Sequence, residues 1–461
     1  MNSKARTTTV GVVRTDILDF TIGRDRELDM GLINADCIGT AAHVTMLSRM
    51  GVKPPIFSAA QRARVIRALG QIMLEASRGR FEITLEDQDV HLALERKLTA
   101  RLGTLGRKVH TGRSRNDQVA LDLRLFAKEQ LLATIDEALK LAEALIAQAR
   151  RHLMVPMVGR THMQPAMPSS VGLWATAHAE SLMDDALLLK NAFELSDQCP
   201  LGSAASYGVP LPIDRELTAD LLGFSRPIHN VLYANNARGK IEVVILAAMG
   251  QVMLSLAKLA QDLMLYTMPE FNYFSIAKEF CTGSSIMPQK NNPDVLELVR
   301  AKAAMVCAHE LAVAGIVRGL PSGYNRDLQE TKGPFMDGIA TTRSCLEVMF
   351  LLVEGMEVHA PQLRAAFSPA VFATDRALEL TGRGMPFRDA YRYVKEHMAE
   401  LESMDPGDAV LRKTHWGATA GLDIDDMGRR VDATRRFAAG ARTQYYRAVT
   451  RLMGVRYPLH D

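Results

Sequence analysis

The chain has 461 residues, of which 48% are hydrophobic and 23% charged, and its formal net charge is +3. This length allows a core divided among two or three domains, and the composition is typical of a globular protein. The small basic excess, with no dense basic run, argues against a nucleic-acid partner. The longest uncharged apolar stretch, residues 243–257, is shorter than the ~20 residues that span a bilayer, which argues against a membrane partner.

The cysteines and the start of the sequence indicate the compartment. The five cysteines are scattered and form no Cys-x-x-Cys pair, which favours reduced thiols over a disulfide framework. The start of the sequence has no apolar stretch of signal-peptide length. We therefore predict a cytoplasmic protein.

Up to about residue 112, the sequence shows short helical patterns broken by Gly and Pro. His91 and Glu95 lie four residues apart on one of these helices, where a simple ion pair is expected. We predict an N-terminal helical domain over residues 1–111.

Five long helical patterns dominate the middle of the sequence. In the first, which has neither Pro nor Gly, apolar residues recur at spacings of three, four or seven and give one apolar stripe. The third is apolar around most of its circumference, so we expect other helices, including those of other subunits, to surround it. The predicted helices are Asn116–Leu153, Ser170–Leu195, Lys240–Met268, Asp294–Val317 and Phe335–Val358.

Helices of this length favour a bundle, and the sequence contains no βαβ alternation and no internal repeat. We predict an all-α fold whose central bundle domain covers residues 112–361. A C-terminal helical domain is predicted over residues 362–461, where the elements are again shorter and more charged.

The polar segment "HTGRSRNDQV", 110–119, precedes the first long helix. It places Ser114, Arg115 and Asn116 at the helix start, which Asn116 or Asp117 is expected to cap. By itself the segment is also what an ordinary polar helix start contains.

Two further polar segments join long helices. "GRTHMQPAMP", 159–168, contains Thr161 and His162, and a lone His is more often structural than catalytic. "SGYNRDLQETK", 322–332, is dense in hydrogen-bonding side chains, as connecting loops often are. Neither segment alone specifies a function.

The segment "CTGSSIMPQKNNPD", 281–294, is a flexible polar loop that carries a cation. Asn292 could cap the helix that follows, and the free N–H groups of a helix start favour an anion. Lys290 adds a positive charge, and Ser284 adds a hydroxyl. These groups suit a carboxylate ligand, although a mobile surface loop before a capped helix has the same residue types.

Motifs of other catalytic classes are missing from the sequence. It has no P-loop, no GxGxxG after a strand and no GxSxG nucleophile elbow. "HELAV", 309–313, lacks the second His of a zinc site. We predict neither a metal nor an organic cofactor.

Together, the polar segments resemble the fumarase/aspartase superfamily, whose signature loop is similar to "GSSIMPQKNNPD". Within it, "HTGRSRNDQVALD", "DVHLALERKL", "PLGSAA", "GYNRDLQETK" and "MPFRDAYRYV" resemble the argininosuccinate lyases. The similarity extends from about Asp25 to beyond Val394. It implies a three-domain all-α subunit in a homotetramer with a core of twenty helices, and active sites that each draw loops from three subunits.

Matched position by position, the resemblance implies a site whose residues are far apart in the sequence. Ser284 corresponds to the family's catalytic serine, His162 to its histidine, and Glu297 to the carboxylate partner of that histidine. Lys290 joins them as the loop cation. The implied substrate-binding residues are Ser114, Arg115, Asn116, Thr161, Asn292, Tyr324, Gln329 and Lys332.

The implied reaction is cleavage of the C–N bond of argininosuccinate, or of a similar N-substituted aspartate, by β-elimination to fumarate and an amine. Lys290, Asn292 and backbone N–H groups suit the enolate-like intermediate that forms when a proton is removed beside a carboxylate. Ser284 would take that proton, and His162, charged by Glu297, would protonate the leaving nitrogen. Glu297 could instead pair with Arg300 on its own helix.

Several loops depart from the family pattern. Arg160 stands in place of Tyr, Pro165 and Met167 stand in place of Arg and Gln, and "YANNARG", 233–239, replaces most of an acidic stretch. The amine half of the substrate therefore remains open between arginine and another amine.

Two other classes of function remain. One is a non-catalytic structural relative, which would require none of Ser284, Lys290, Asn292, His162 and Glu297. The other is an enzyme that adds water to fumarate, which the lyase-type segments "TGRSRND" and "YNRDLQ" disfavour. The sequence thus favours a C–N lyase acting on a small-molecule substrate.

Overall fold

The computed structural model describes residues 5–8 and 11–459, and the described chain is predominantly helical. Its α-helices are α1 Thr15–Ile22, α2 Asp25–Leu28, α3 Ile33–Leu47, α4 Ala59–Ser77, α5 Val90–Leu102, α6 Thr104–Arg107, α7 Arg115–Arg151, α8 Val171–Ser196, α9 Arg215–Leu221, α10 Val231–Asn236, α11 Lys240–Tyr266, α12 Asp294–Val317, α13 Lys332–Glu354, α14 Ala360–Ala365, α15 Ala373–Gly382, α16 Phe387–Glu396, α17 Pro406–Leu411 and α18 Ile424–Met453. Short 3₁₀ helices cover Asp29–Leu32, Lys278–Phe280, Arg326–Thr331, Pro369–Phe372 and Met398–Glu400.

Short strands accompany the helices and pair only two at a time within the described ranges. They are β1 Ala5–Thr8, β2 Gly11–Arg14, β3 Pro156–Thr161, β4 Gln164–Ser170, β5 Gln198–Cys199, β6 Arg226–Pro227, β7 Phe274–Ser275, β8 Thr282–Gly283, β9 Asn291–Asn292 and β10 Glu357–Val358. The pairs β1–β2, β3–β4, β7–β10 and β8–β9 are antiparallel, and β5–β6 is parallel.

The five predicted long helices are confirmed as α7, α8, α11, α12 and α13, which pack against one another as a bundle. Their apolar stripes form one continuous buried core that also takes in residues of α3 and α18. The 30-residue length of α18 contradicts the expectation of short elements near the C-terminus. The division into three domains stays a prediction.

Helix α11 lies inside the bundle, against α8, α12 and α13. Among the described helices it alone is long and apolar enough to cross a membrane, and 56% of its most apolar stretch is buried in this fold. Burial between neighbouring helices accounts for its composition, as expected for a helix that is apolar nearly all round.

Helix α12 carries an exposed apolar surface. Leu298, Met305 and Leu311 have 57%, 54% and 72% of their surface exposed. Along the same helix, the exposed apolar or small residues Leu298, Ala301, Met305, Ala308, Ala312 and Gly315 recur at alternating spacings of three and four. Such spacing gives one stripe along a helix, of the kind that packs against another helix.

The start of α7 is fixed by a capping box centred on Ser114. Its hydroxyl accepts from the N–H of Asn116 at 3.2 Å, and its own N–H donates to Asp117 Oδ1 at 2.9 Å. The other oxygen of Asp117 accepts from the N–H groups of Gly202 and Ala204. The prediction that Asn116 or Asp117 caps this helix is therefore wrong, because Ser114 immediately precedes the first helical residue, whereas Asn116 and Asp117 lie inside the helix.

The start of α12 also differs from its prediction. The helix begins at Asp294 after Pro293, and Asn292 belongs to β9 and does not cap it. Thr282 Oγ1 donates to Asp294 Oδ2 at 2.9 Å, so the first residue of the helix holds the loop that precedes it.

A close contact at Gly172 fixes where α8 leaves the β3–β4 hairpin. A Cβ at Gly172 would lie 2.6 Å from the carbonyl oxygen of Leu153 and 2.8 Å from its Cα. Backbone atoms cannot move aside as a side chain can, so the Gly172→Ala variant is expected to lose about 1–3 kcal/mol of unfolding free energy. Urea denaturation followed by circular dichroism measures this loss.

Gly70→Ala is the matched control, because Gly70 lies inside α4 and a Cβ there would meet nothing within 4 Å. Alanine should stabilise that position by about 0.5–1 kcal/mol, since glycine disfavours the helix interior. Equal effects at both positions would contradict the close contact.

Candidate active site

A cavity of about 320 Å³ opens at the end of the bundle where α7 and α13 begin. Five of the predicted binding residues line it: Arg115, Asn116, Tyr324, Gln329 and Lys332. The structure thus brings together residues from two segments that are more than 200 positions apart in the sequence. Ser114 lies beside them as the cap of α7.

Lys332 is the most deeply buried cation of the cavity, with 3% of its surface exposed. Its ammonium donates to Asp25 at 2.9 Å and to Asp29 at 2.5 Å. Burial alone would lower the pKa of Lys332, but Asp29 and Asp25 outweigh burial, and the pKa is raised. Lys332 is therefore a permanent cation in this cavity.

Arg115 forms the second ion pair of the cavity, with Asp89. The other oxygen of Asp89 accepts from the N–H of Leu92 and caps α5. Asp89 therefore links α5 to the start of α7, and the adjacent Asn116 is held in the cavity wall with its side chain free of hydrogen bonds within the described ranges.

The 3₁₀ helix after Tyr324 forms the opposite wall. Gln329 Nε2 and Arg326 Nη2 each donate to the carbonyl of Thr21 at 2.8 Å. Arg238 Nη2 donates to the carbonyl of Leu328 at 3.0 Å. Tyr324 is 38% exposed, so its ring is accessible at the mouth of the cavity.

The predicted residues Thr161 and His162 lie at the tip of the β3–β4 hairpin. The first three residues of β3 are buried, whereas Thr161 and His162 are exposed. His162 and Met163 form the two-residue turn, with φ angles of 52° and 62°. The hairpin therefore directs these residues away from its own chain.

The loop between β8 and β9 carries Ser284 and Lys290. The N–H groups of Ile286 and Met287 donate to Ser284 Oγ at 3.3 and 3.1 Å. These are the hydrogen bonds of a serine turn, and they fix the direction of the Ser284 hydroxyl. Ser284 is partly buried, Lys290 is exposed, and Asn292 follows in β9.

Glu297 is exposed in the first turn of α12. Within the described part of the chain it has no hydrogen-bond or ion-pair partner. Arg300, the alternative partner considered from the sequence, donates to Gln261 instead. The simple Glu297–Arg300 pair is therefore not formed.

The two groups of predicted residues lie at opposite ends of the bundle. The start of α12 lies beside the end of α11, through Arg300 and Gln261. The other end, Val317, packs against Gly239, which follows the cavity residue Arg238. At about 1.5 Å per residue, the 24 residues of α12 separate its ends by roughly 36 Å. One chain therefore does not bring Ser284, Lys290, Asn292 or Glu297 to its own cavity.

The hairpin with Thr161 and His162 lies at the same end as the loop, because it follows the end of α7. There, Gln148 Nε2 donates to the carbonyl of Val353, near the end of α13, at 2.8 Å. No hydrogen bond or ion pair joins His162 to Ser284 or Glu297 among the residues that the structure describes.

His91 does not form the predicted pair with Glu95. Its Nδ1 lies 3.3 Å from Asp36 Oδ1 on α3 and 3.7 Å from Asp122 Oδ2 on α7. Burial alone would lower the pKa of His91, but Asp36, Asp89 and Asp122 together raise it to about 9. The imidazole is thus a buried cation that ties α5 to the helices on either side.

This His91 cluster is the one group of three potential metal ligands among the described residues, with ligand atoms within 4.8 Å of one another. The buried Arg113 also acts electrostatically on Asp36 and Asp122. Two cations, His91 and Arg113, already face these carboxyl groups, and burial together with Asp36 raises the pKa of Asp122 well above its usual range, which leaves no charge deficit for a metal to fill. The absence of a metal from the protein stays a prediction.

Several cavity residues were not predicted from the sequence. They are Asp25, Asp29, Gln88, Asp89, His91, Val119, Arg238 and Arg326. Asp89 and His91 belong to the segment "DVHLALERKL", which carried part of the resemblance and could have indicated them. Asp25 and Asp29 gave no signal, because their partner Lys332 is about 300 positions away.

Comparison with known sequences places this site in context. Residues 19–308 match a family described as lyase. The chain is similar to the argininosuccinate lyase of Sorangium cellulosum, with 43% identity over 92% of this chain and 97% of that one. It is also similar to the argininosuccinate lyase of Bacteroides fragilis, with 39% identity over 92% and 93% of the two chains.

The fold is similar to that of an EDDS lyase solved in complex with formate. The TM-score is 0.79 at 22% identity, and the match covers 95% of each chain. Because the match covers nearly the whole chain, it confirms the predicted all-α architecture.

The raised pKa of His91 generates a test of the buried cluster. The unfolded chain releases the imidazole proton at about pH 6.5, whereas the folded protein holds it to about pH 9. The folded state binds the extra proton between these values, so its stability falls as the pH rises through them. From pH 6.5 to 9.5, we expect the parent to lose on the order of 2 kcal/mol more unfolding free energy than His91→Gln.

Urea denaturation at closely spaced pH values measures this difference. His415→Gln, which changes an exposed histidine, serves as the control and should follow the parent. Parallel pH dependences for the parent and His91→Gln would show that His91 carries no raised pKa.

Proposed function

Because the chain belongs to the argininosuccinate lyase family, we propose that it is a carbon–nitrogen lyase that eliminates fumarate from argininosuccinate, with arginine as the other product. The observation that supports this most directly is the state of Ser284, whose Oγ receives two backbone N–H groups in a loop that also holds Lys290.

Proton removal is the first demand of the reaction. The proton lies on carbon beside a carboxylate, and its loss leaves an enolate-like dianion. We assign the base to Ser284, since the N–H groups of Ile286 and Met287 stabilise the alkoxide it needs. Lys290 and Asn292 would stabilise the intermediate electrostatically.

Protonation of the leaving nitrogen is the second demand. We assign it to His162 at the exposed hairpin tip, with Glu297 as the carboxylate that orients and charges the imidazole. Thr161 would bind substrate beside it. The proposed reaction uses only these side chains and requires neither a metal nor an organic cofactor.

Substrate binding would fall to the cavity at the other end of the bundle, through Arg115, Asn116, Tyr324, Gln329 and Lys332. Ser114 would act through the start of α7. Since roughly 36 Å separates the ends of α12, a complete site requires the loop and hairpin of one copy of the chain to meet the cavity of another.

A homotetramer with a core of twenty helices would satisfy this requirement. The exposed stripe of α12, with Leu298 and Met305 and the neighbouring Leu311, supports it, because such an apolar surface on a long helix suits packing against a second copy. Each site would then combine loops of three subunits. Cytoplasmic location remains part of the proposal.

A different amine half is the second candidate, and the charges of the cavity favour it. Asp25 and Asp29 are engaged by Lys332, and Asp89 is engaged by Arg115. An incoming guanidinium group would compete with these buried pairs, whereas a carboxylate on another amine would meet the cationic side of the cavity at Arg326. Such a substrate would still be an N-substituted aspartate that yields fumarate.

The test of the proposed reaction is fumarate release from argininosuccinate by purified protein, followed by ultraviolet absorbance. Ser284→Ala should lower kcat by at least about 100-fold, because it removes the base, with KM little changed. If the parent gives no fumarate, the same assay with other N-succinyl amines tests the second candidate. If none of these substrates yields fumarate, the protein is better interpreted as a non-catalytic structural relative.

The shared site generates a second prediction. Asn116→Leu and Ser284→Ala alter opposite ends of the bundle, so mixed oligomers of these two inactive variants contain some sites with both halves intact. With equal co-expression and random assembly, about one site in four should be active. The measurement is fumarate formation by the co-purified mixture, compared with each variant alone.

Ser284→Ala mixed with Lys290→Met is the matched control for this experiment. Both changes lie in one loop, so no mixed site has an intact loop, and the mixture should stay inactive. Equal activity of the two mixtures would contradict a site shared between chains.

A further inference from the structure

We propose that Arg160 is a positioning residue, which holds the hairpin tip so that His162 is presented in one fixed orientation. The proposal rests on the function proposed for His162. It concerns a side chain that does not line the cavity and that stands where the resembling family has Tyr.

The turn that carries His162 is under backbone strain. His162 and Met163 both adopt left-handed angles, at φ 52° and 62°, and neither is a glycine. Two-residue hairpin turns of this hand favour Asn and Gly, because other side chains meet the backbone there. Contacts outside the turn must therefore hold it.

Arg160 supplies such contacts on two sides. Its Nη1 donates to the carbonyl of Met163, across the turn, at 3.2 Å. Its guanidinium carbon lies 4.8 Å from the centre of the Phe271 ring, in cation–π geometry. The guanidinium therefore bridges the strained turn and an aromatic residue of the bundle.

Phe271 is a firm anchor for this bridge. Its ring lies 6.0 Å from that of Tyr266, at the end of α11, and 5.3 Å from that of the buried Tyr273. The series of contacts from Met163 through Arg160 to Phe271 thus connects the exposed tip to the core of the bundle.

The pairing of the two hairpin strands is irregular next to Arg160. Arg160 lies opposite Pro165 and Gly159 opposite Met167, so a bulge falls between these pairs. Pro165 restricts the backbone facing Arg160, and a bulge increases the local twist of a strand. Three positions that depart from the resembling family, Arg160, Pro165 and Met167, therefore lie at or next to this bulge.

Substitutions of Arg160 separate positioning from the alternatives. Arg160→Met removes the charge and the hydrogen bond, whereas Arg160→Lys keeps the charge but loses the planar group that stacks and donates at once. Misplacement of His162 should lower kcat of fumarate release by roughly 10- to 100-fold in Arg160→Met and by less in Arg160→Lys, with KM within about twofold of the parent.

A rise in KM with unchanged kcat would overturn the proposal, because it would make Arg160 a substrate-binding residue. Unchanged kcat and KM in both variants would overturn it as well. Arg436→Met, which changes an exposed arginine of α18, is the matched control and should keep the parent's kcat and thermal midpoint.

Amide hydrogen exchange of the full-length protein tests the same proposal without relying on activity. In Arg160→Met, exchange should quicken by at least about tenfold at residues 160–164 and stay unchanged in α11. Unchanged exchange at the tip would overturn the positioning role, even if the parent proves inactive on every substrate. An inactive parent with quickened exchange in the variant would refute the proposed function and leave the bridge intact.

Discussion

The length of the bundle helices is the constraint on which the rest of the structure depends. A helix is rigid and rises by a fixed amount per residue, so residues at its two ends cannot approach each other. The cavity lies where α7 and α13 begin, and the hairpin and the loop lie where α7 and α11 end. Chemistry that needs both ends must therefore be assembled between chains. The apolar stripe of α12, which is exposed in the single chain, suits the assembly proposed for this protein.

Within the cavity, burial dictates the pairing of charges. An isolated buried charge is costly, and each buried cation here has carboxylate partners: Lys332 has Asp25 and Asp29, and His91 has Asp36 and Asp122. These pairs join α2, α3 and α5 to the starts of α7 and α13. They hold the cavity wall in place, and they also decide which charges remain available to a ligand. The same contacts therefore fix the architecture and the charge distribution of the cavity.

Periodicity predicted the five long helices to within a few residues, because a core-facing stripe is a local property of the sequence. The helix starts were less predictable: Ser114 and Asn116 are equally good caps by residue type, and the choice depends on Asp117 and its contacts with residues 202–204. The partner predicted for His91 was wrong for a related reason. Glu95 is near in sequence, whereas Asp36 and Asp122 are brought near only by helix packing. Spacing along one helix carries no information about such contacts.

The candidate site shows the same division between what is local and what is not. Resemblance indicated the residues that we propose bear the chemistry, including Ser284 and His162, but not the contacts that orient them. The N–H groups that receive Ser284 Oγ belong to residues 286 and 287, whose side chains are apolar and gave no signal. Arg160 was noticed only as a departure, and its role follows from Phe271, more than 100 positions away. A group that performs chemistry is restricted in residue type, whereas a group that positions it can be replaced whenever another contact fixes the same geometry. A substitution near a site can therefore reflect a change in the contacts that position the catalytic groups as readily as a change of substrate. In this hairpin, the contacts of Arg160 favour the first explanation.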